Sequence, residues 1–183
     1  MTGEGIDLKR HIRSIPDWPK KGILFRDITP LLADPKAFAA AVDALCAGFT
    51  GAGIEYVAAV EARGFIFGGA VAQKLGAGFV PIRKKGKLPF KTESISYDLE
   101  YGTDTLEVHS DAIKSRPVWP PDRAKVLMVD DLLATGGTMA SACKLIEKIG
   151  GQVAGIVFLI ELADLRGREK IADYQVKSII SYE

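Results

Sequence analysis

Residues 126–138 read Val-Leu-Met-Val-Asp-Asp-Leu-Leu-Ala-Thr-Gly-Gly-Thr and carry the chain's clearest chemical pattern. An apolar run delivers two adjacent carboxylates, Asp130 and Asp131. A turn with two hydroxyls and two glycines then opens into a helical pattern. Glycines let backbone N–H groups come close to a ligand and adopt dihedrals closed to other residues. Amides at the start of a helix attract anions, and Thr135 and Thr138 add hydroxyl donors. The set therefore suits a sugar phosphate, with amides for the phosphate and acids to accept from ribose hydroxyls. An ordinary strand–turn–helix junction with an acidic cap is the plainer reading. Acids, hydroxyls and glycines together on a buried strand argue against it. No Gly-Lys-Ser/Thr follows the glycines, so this is not a Walker loop, and no GxGxxG dinucleotide fingerprint is present.

A second cluster is cationic. Arg83, Lys84, Lys85, Lys87 and Lys91 fall within nine residues with no acid among them. A basic run is usually a solvated loop. At the end of a sheet strand beside an anion cradle, it becomes a diphosphate clamp. The chain as a whole is nearly neutral, with 24 Lys+Arg against 23 Asp+Glu. Nothing global therefore points to nucleic acid or a membrane surface.

The elements that must position these groups follow from periodicity. Phe38, Ala41, Val42, Leu45 and Phe49 recur at helical spacing after an Asp34-Pro35 start signal. A buried strand is expected over 54–60, a helix over 64–75 and a strand over 79–83. The motif strand over 126–129 leads into a helix with Met139, Cys143, Ile146 and Ile149 on one face. Apolar runs over 153–162 and 176–180 close the series. Alternating helices and continuously apolar strands imply an α/β fold with a central, mostly parallel sheet flanked by helices. Ligands in such sheets sit beyond the carboxyl ends of the strands.

The 183 residues fit one domain. Residues 1–33 read as an N-terminal cap, and 86–104, without clear periodicity, as a mobile loop or hairpin that could form a lid. No apolar run reaches the roughly 18 residues of a membrane span, and no signal-peptide core follows Met1. The cytoplasm is the expected location. Cys46 and Cys143 sit in helical apolar patterns and are expected to be reduced core residues.

The motif at 126–138 resembles the phosphoribosyl pyrophosphate motif of type I phosphoribosyltransferases, and its wording is similar to the adenine-using members. Matching blocks extend along the chain in order: FRDITPLL at 25–32, EARGFIFG at 61–68, PIRKKGKLP at 81–89, YDLEYGTD at 97–104 and ELADLRGREK at 161–170. The resemblance implies the type I phosphoribosyltransferase fold and transfer of a phosphoribosyl group to adenine, giving AMP and pyrophosphate. It assigns the phosphoribose to Asp130, Asp131, Ala134, Thr135, Gly136, Gly137 and Thr138. It assigns the pyrophosphate to Arg63, Arg83, Lys84 and Lys87, and implies a homodimer. Relatives that use 6-oxopurines carry an aspartate where this chain has Ala134, which cannot move a proton. The resemblance supplies Glu100 instead, as general base for the purine N7 proton. Phe25 would stack on adenine while the backbone at Leu24 and Arg26 reads its edge, as N6 donates and N1 accepts.

Mg²⁺ is expected to arrive with the substrate, so no dedicated metal ligands are assigned. Two rivals remain: a phosphoribosyltransferase for another base, and a non-catalytic sensor of phosphoribosyl pyrophosphate. The segment 114–125 is longer and richer in proline than the family's connector. Trp119 within it is a candidate for a subunit contact.

Overall fold

The computed structural model describes residues 5–98, 102–113 and 123–183. Glu100 and Trp119 lie outside the described residues. The chain divides into two compact units, residues 1–44 and 45–183.

In the N-terminal unit, a short 3-10 helix (Leu8–His11) is capped by the Asp7 carboxylate, which accepts from the Lys9 N–H at 3.1 Å. Strands β1 (Arg13–Ile15) and β2 (Phe25–Asp27) pair antiparallel, with Ile15 opposite Phe25. The loop between them brings the Trp18 ring edge-on to Phe25, at a centroid distance of 4.4 Å. Asp27 then accepts from both the N–H and the hydroxyl of Thr29, starting α1 (Thr29–Ala33). Asp34 accepts from the N–H groups of Lys36 and Ala37, so the Asp-Pro start signal works as expected for α2 (Pro35–Cys46).

The larger unit is built on a seven-stranded sheet. In chain order its elements are β3 (Tyr56–Val60), α3 (Gly64–Leu75), β4 (Gly78–Lys84), β5 (Thr92–Asp98), β6 (Thr103–His109), β7 (Ala124–Leu133), α4 (Gly137–Lys148), β8 (Gly151–Leu162) and β9 (Val176–Tyr182). The spatial order is β5-β6-β4-β3-β7-β8-β9. Neighbours from β4 to β9 run parallel, while β6 is antiparallel to β4 and β5. The expected mostly parallel sheet is borne out.

Burial explains why these runs are strands. Val57, Ala58 and Ala59 in β3 and Val126 to Val129 in β7 are fully enclosed, as strands covered on both faces must be. On one face Met139, Cys143 and Ile146 of α4 join Val80, Val126 and Phe158 in the core. On the other, α3 packs against β3, where a Cβ on Gly68 would stand 2.7 Å from Ala59 Cβ and 2.8 Å from the Phe79 ring. Cys46 and Cys143 are buried free thiols, and burial pushes the Cys143 pKa up to about 12. Both fit the expected role as core residues.

The chain leaves β3 through α3 towards β4 on one side, and leaves β7 through α4 towards β8 on the other. Strands β3 and β7 are neighbours, so their carboxyl ends form a topological switch point, where open α/β sheets leave a crevice. Within 86–104, residues 92–98 form β5 and 103–104 begin β6, which pairs antiparallel with it, and Ile95 and Tyr97 pack against the core. The strand alternation was present in the sequence but masked by serine and threonine.

Candidate active site

The crevice holds a cavity of about 400 Å³ lined by Val60–Arg63, Asp130–Gly136, Thr138, Met139 and Phe158. It therefore gathers Arg63, Asp130, Asp131, Ala134, Thr135, Gly136 and Thr138 from the sequence-derived set. Gly137 opens α4 between two lining residues without itself lining the cavity.

Pairing of β7 with β3 ends at Ala59 opposite Val129, whereas pairing with β8 continues to Leu133. Asp130 and Asp131 thus lie beyond the last β3–β7 pair, and Asp131 lies against the loop that follows β3. Asp131 Oδ2 accepts from Arg63 Nε at 2.9 Å, and its side chain is only 8% exposed. Asp130 Oδ1 accepts from the Asp131 N–H at 2.9 Å. Burial, then the neighbouring Asp131 charge, pushes the Asp130 pKa well above the usual carboxylate range. Burial also raises Asp131, against the opposing pull of Arg63. A Cβ on Gly64 would stand 2.5 Å from Asp130 Oδ1, so that glycine lets the start of α3 approach the acid.

The N-cap of α4 is Gly136, which has no side chain to bond the helix's first amides, and amides at a helix start suit an anion. Gly136 has φ +77° and a Cβ there would collide with the Gly167 carbonyl oxygen; a Cβ on Gly167 would collide with Ala134 O. The turn at 134–137 is therefore backed by the 3-10 helix Gly167–Ile171. Arg168 within it holds Glu161 through two bonds of 2.7 Å. Lys170 Nζ lies 3.7 Å from where a Gly137 Cβ would stand, adding a cation near the start of α4. Gly167 and Lys170 were part of a quoted block, but their placement depends on the tertiary path of the chain after β8.

The basic cluster is organised by Glu61, whose side chain is 7% exposed. It accepts from Arg83 Nη2 at 3.0 Å, Lys87 Nζ at 3.1 Å and the Lys84 N–H at 2.6 Å. Burial works to raise the Glu61 pKa, but the bonds from Lys84, Lys87 and Arg83 outweigh it and hold it below the usual value. Lys84 Nζ pairs with Asp104 at 3.1 Å. Sequence reasoning missed Glu61 as a positioning group; the signal was one acid following β3 and a run of cations beginning at the end of β4, of which Arg83 and Lys87 reach it. Leu24, Phe25 and Arg26 belong to the N-terminal unit, with Leu24 exposed and Phe25 half-buried beside Trp18.

The comparisons with known proteins agree with this geometry. A family model described as the phosphoribosyl transferase domain matches residues 32–183. An adenine phosphoribosyltransferase of Parvibaculum lavamentivorans is 56% identical over 180 residues, covering 97% of this chain and 99% of the relative. The chain belongs to the adenine phosphoribosyltransferase family. Among solved members, that of Thermoanaerobacter pseudethanolicus superposes with a TM-score of 0.88 at 50% identity, covering 96% of this chain and 98% of its own. The Saccharomyces cerevisiae adenine phosphoribosyltransferase, complexed with an imino-altritol bisphosphate and adenine, gives 0.86 at 36% identity, covering 94% and 96%. The expected type I phosphoribosyltransferase fold is borne out. The domain model begins at residue 32, so the candidate base-binding residues 24–26 fall in the part matched by adenine phosphoribosyltransferase relatives over nearly their full length.

Proposed function

We infer that this chain transfers the 5-phosphoribosyl group from phosphoribosyl pyrophosphate to N9 of adenine, releasing AMP and pyrophosphate. The observation that carries the reading is the cavity at the switch point, where two carboxylates, the glycine-capped start of α4 and Arg63 converge. The 5′-phosphate would lie against the amides and hydroxyls of residues 134–138, and the ribose hydroxyls would bond Asp130 and Asp131. Displacement at C1′ builds positive charge on the ribose ring, which the two acids tolerate. Arg63, Arg83, Lys84 and Lys87 would receive the leaving pyrophosphate as charge-assisted donors.

Glu100 would accept the N7 proton as N9 attacks, a role worth on the order of 10²–10⁴-fold. It falls among the residues joining β5 and β6, and residues 86–104 would act as a lid that excludes water from the ribosyl centre. Phe25 would stack on adenine, with backbone at Leu24 and Arg26 reading its edge, making residues 1–33 the base-binding cap.

Mg²⁺ would arrive bound mostly to the substrate phosphates and water, with no dedicated ligands from the chain, and when bound would neutralise charge on the pyrophosphate beside the two cavity carboxylates. Among the described residues no helix is long and apolar enough to cross a membrane. We place the protein in the cytoplasm as a homodimer.

The test is a base panel: purified protein, phosphoribosyl pyrophosphate, Mg²⁺ and each purine or pyrimidine, assayed for pyrophosphate release. Release with adenine alone is expected. Release with another base would overturn the roles of Phe25 and Ala134.

A further inference from the structure

The β5–β6 hairpin touches both anion sites. Tyr97 and Asp104 stand directly opposite each other across its two strands. The Tyr97 hydroxyl accepts from Thr138 Oγ1 at 3.3 Å, in the first turn of α4 and on the cavity wall. Asp104, its cross-strand neighbour, pairs with Lys84 Nζ at 3.1 Å, and Lys84, then Tyr97, help hold its carboxyl below the usual value. Thr138, Tyr97, Asp104 and Lys84 therefore form one polar chain from the phosphate turn to the basic cluster. Further along the same strand, Glu93 pairs with Lys148 at 2.7 Å near the other end of α4. The hairpin thus lies along α4, with Tyr97 at the end that faces the site.

The two outer members of this chain are groups that the proposed reaction needs for the substrate. Thr138 has one proton to donate, and a phosphate oxygen is a stronger acceptor than a neutral phenol. Lys84 likewise meets more charge in a pyrophosphate than in one carboxylate. We propose that Tyr97 and Asp104 are positioning residues that couple the ribose-phosphate and pyrophosphate sites through the hairpin. Resting on the function proposed above, the coupling works by competition. Phosphate at the α4 turn draws Thr138 from Tyr97, and pyrophosphate draws Lys84 from Asp104. Each releases one hold on the same hairpin, so either ligand favours the released arrangement and helps the other to bind. Phosphoribosyl pyrophosphate carries both groups and releases both holds at once.

The test is calorimetry with ribose 5-phosphate and magnesium pyrophosphate, each titrated alone and in the presence of the other. Wild type is compared with Tyr97→Phe, which keeps the ring, and with Asp104→Asn. A lost neutral hydrogen bond corresponds to roughly 3–10-fold in an equilibrium constant. In Tyr97→Phe, ribose 5-phosphate alone should bind about 3–10-fold more tightly than to wild type, because no hold has to be broken. The enhancement of each ligand's affinity by the other should shrink in both variants, by that factor in Tyr97→Phe and by at least as much in Asp104→Asn, whose lost bond is charge-assisted. Simple structural damage would weaken single-ligand binding. Weakened or unchanged single-ligand affinity, with the same mutual enhancement as wild type, overturns the coupling and leaves the proposed function standing. Failure of wild type to bind either ligand would overturn both.

Discussion

Gly136 and Gly137 are adjacent and indistinguishable in sequence, yet the structure gives them different constraints, which makes Gly136→Ala and Gly137→Ala a paired test. Gly136 sits at φ +77°, and a Cβ there meets the backbone of Gly167. The left-handed conformation costs a non-glycine residue about 1–2 kcal/mol. Backbone displacement to relieve the overlap adds about 1–3 kcal/mol. A loss near 3 kcal/mol lowers the melting temperature by about 6–12 °C for a chain of this size. The same displacement moves Thr135 and Thr138, and misplacement of about 1 Å can cost on the order of 10²-fold in kcat/KM. A Cβ at Gly137 meets only Lys170 Nζ at 3.7 Å, at the first position of α4. Alanine there removes glycine's helix penalty, worth up to about 1 kcal/mol, so the melting temperature should hold or rise by about 2–4 °C. Thermal melts and steady-state kinetics on both variants check this. A Gly136→Ala protein melting and turning over like wild type, or a Gly137→Ala protein less stable than Gly136→Ala, would refute the reasoning.

Glu100→Ala should lower turnover by on the order of 10²–10⁴-fold with phosphoribosyl pyrophosphate affinity nearly intact, read by steady-state kinetics and calorimetry. Glu61→Gln removes charge-assisted bonds worth about 1.5–3 kcal/mol each when buried, but Arg83 and Lys87 are partly solvated, so a net loss of about 2 kcal/mol is expected. The Glu61 pKa is held low in the fold, so its contribution is present above the ordinary value of 4.5 and fades as pH falls through the lower folded value. Melts across pH should therefore show wild type and Glu61→Gln converging in acid. For Asp130→Asn the sign reverses: the folded state holds the proton more tightly, so wild-type stability falls as pH rises upward from 3.8 through the raised value. That variant should melt higher than wild type at neutral pH while binding phosphoribosyl pyrophosphate more weakly in calorimetry.

The strands of the parallel sheet were legible because both faces are buried, leaving continuously apolar runs bounded by glycine and proline. α3 was read with its observed bounds, and β3, β4, β8 and β9 within two residues of theirs. The motif strand was read short: β7 runs to Leu133, because β8 continues to pair with it beyond Asp130 and a carboxylate in a sequence looks like the end of a strand. β5 and β6 were hidden for a different reason. In β5, Thr92, Ser94 and Ser96 alternate with Glu93, Ile95 and Tyr97, so only two inward positions are apolar, and β6 opens on Thr103-Asp104-Thr105 before its buried Leu106 and Val108. β1 and β2 are three residues each and leave no periodicity to read. Of the site, the acids, hydroxyls and glycines of one contiguous motif were visible. The cations Arg83, Lys84 and Lys87 were visible too, but their pairing with Glu61 and the roles of Gly167 and Lys170 were not, because these arise from approaches between segments far apart in the chain.

Those approaches also account for the near-neutral balance of so basic a site. Each cation assigned to the pyrophosphate is held by an acid from another element: Arg63 by Asp131, Arg83 and Lys87 by Glu61, and Lys84 by Asp104. Four long side chains left unheld would repel one another and lose rotamer freedom when a ligand arrived. Held in place, they have already lost most of that freedom, which is the advantage of preorganisation. The competing acids set a threshold in return. A ligand must offer more charge than one carboxylate to take these groups, as a pyrophosphate does and a monoanion does not. Such a threshold belongs in a site whose ligand carries most of its charge at one end. It also explains why a basic cluster that reads as a solvated loop is fixed in the fold by an acid 22 residues before its first member.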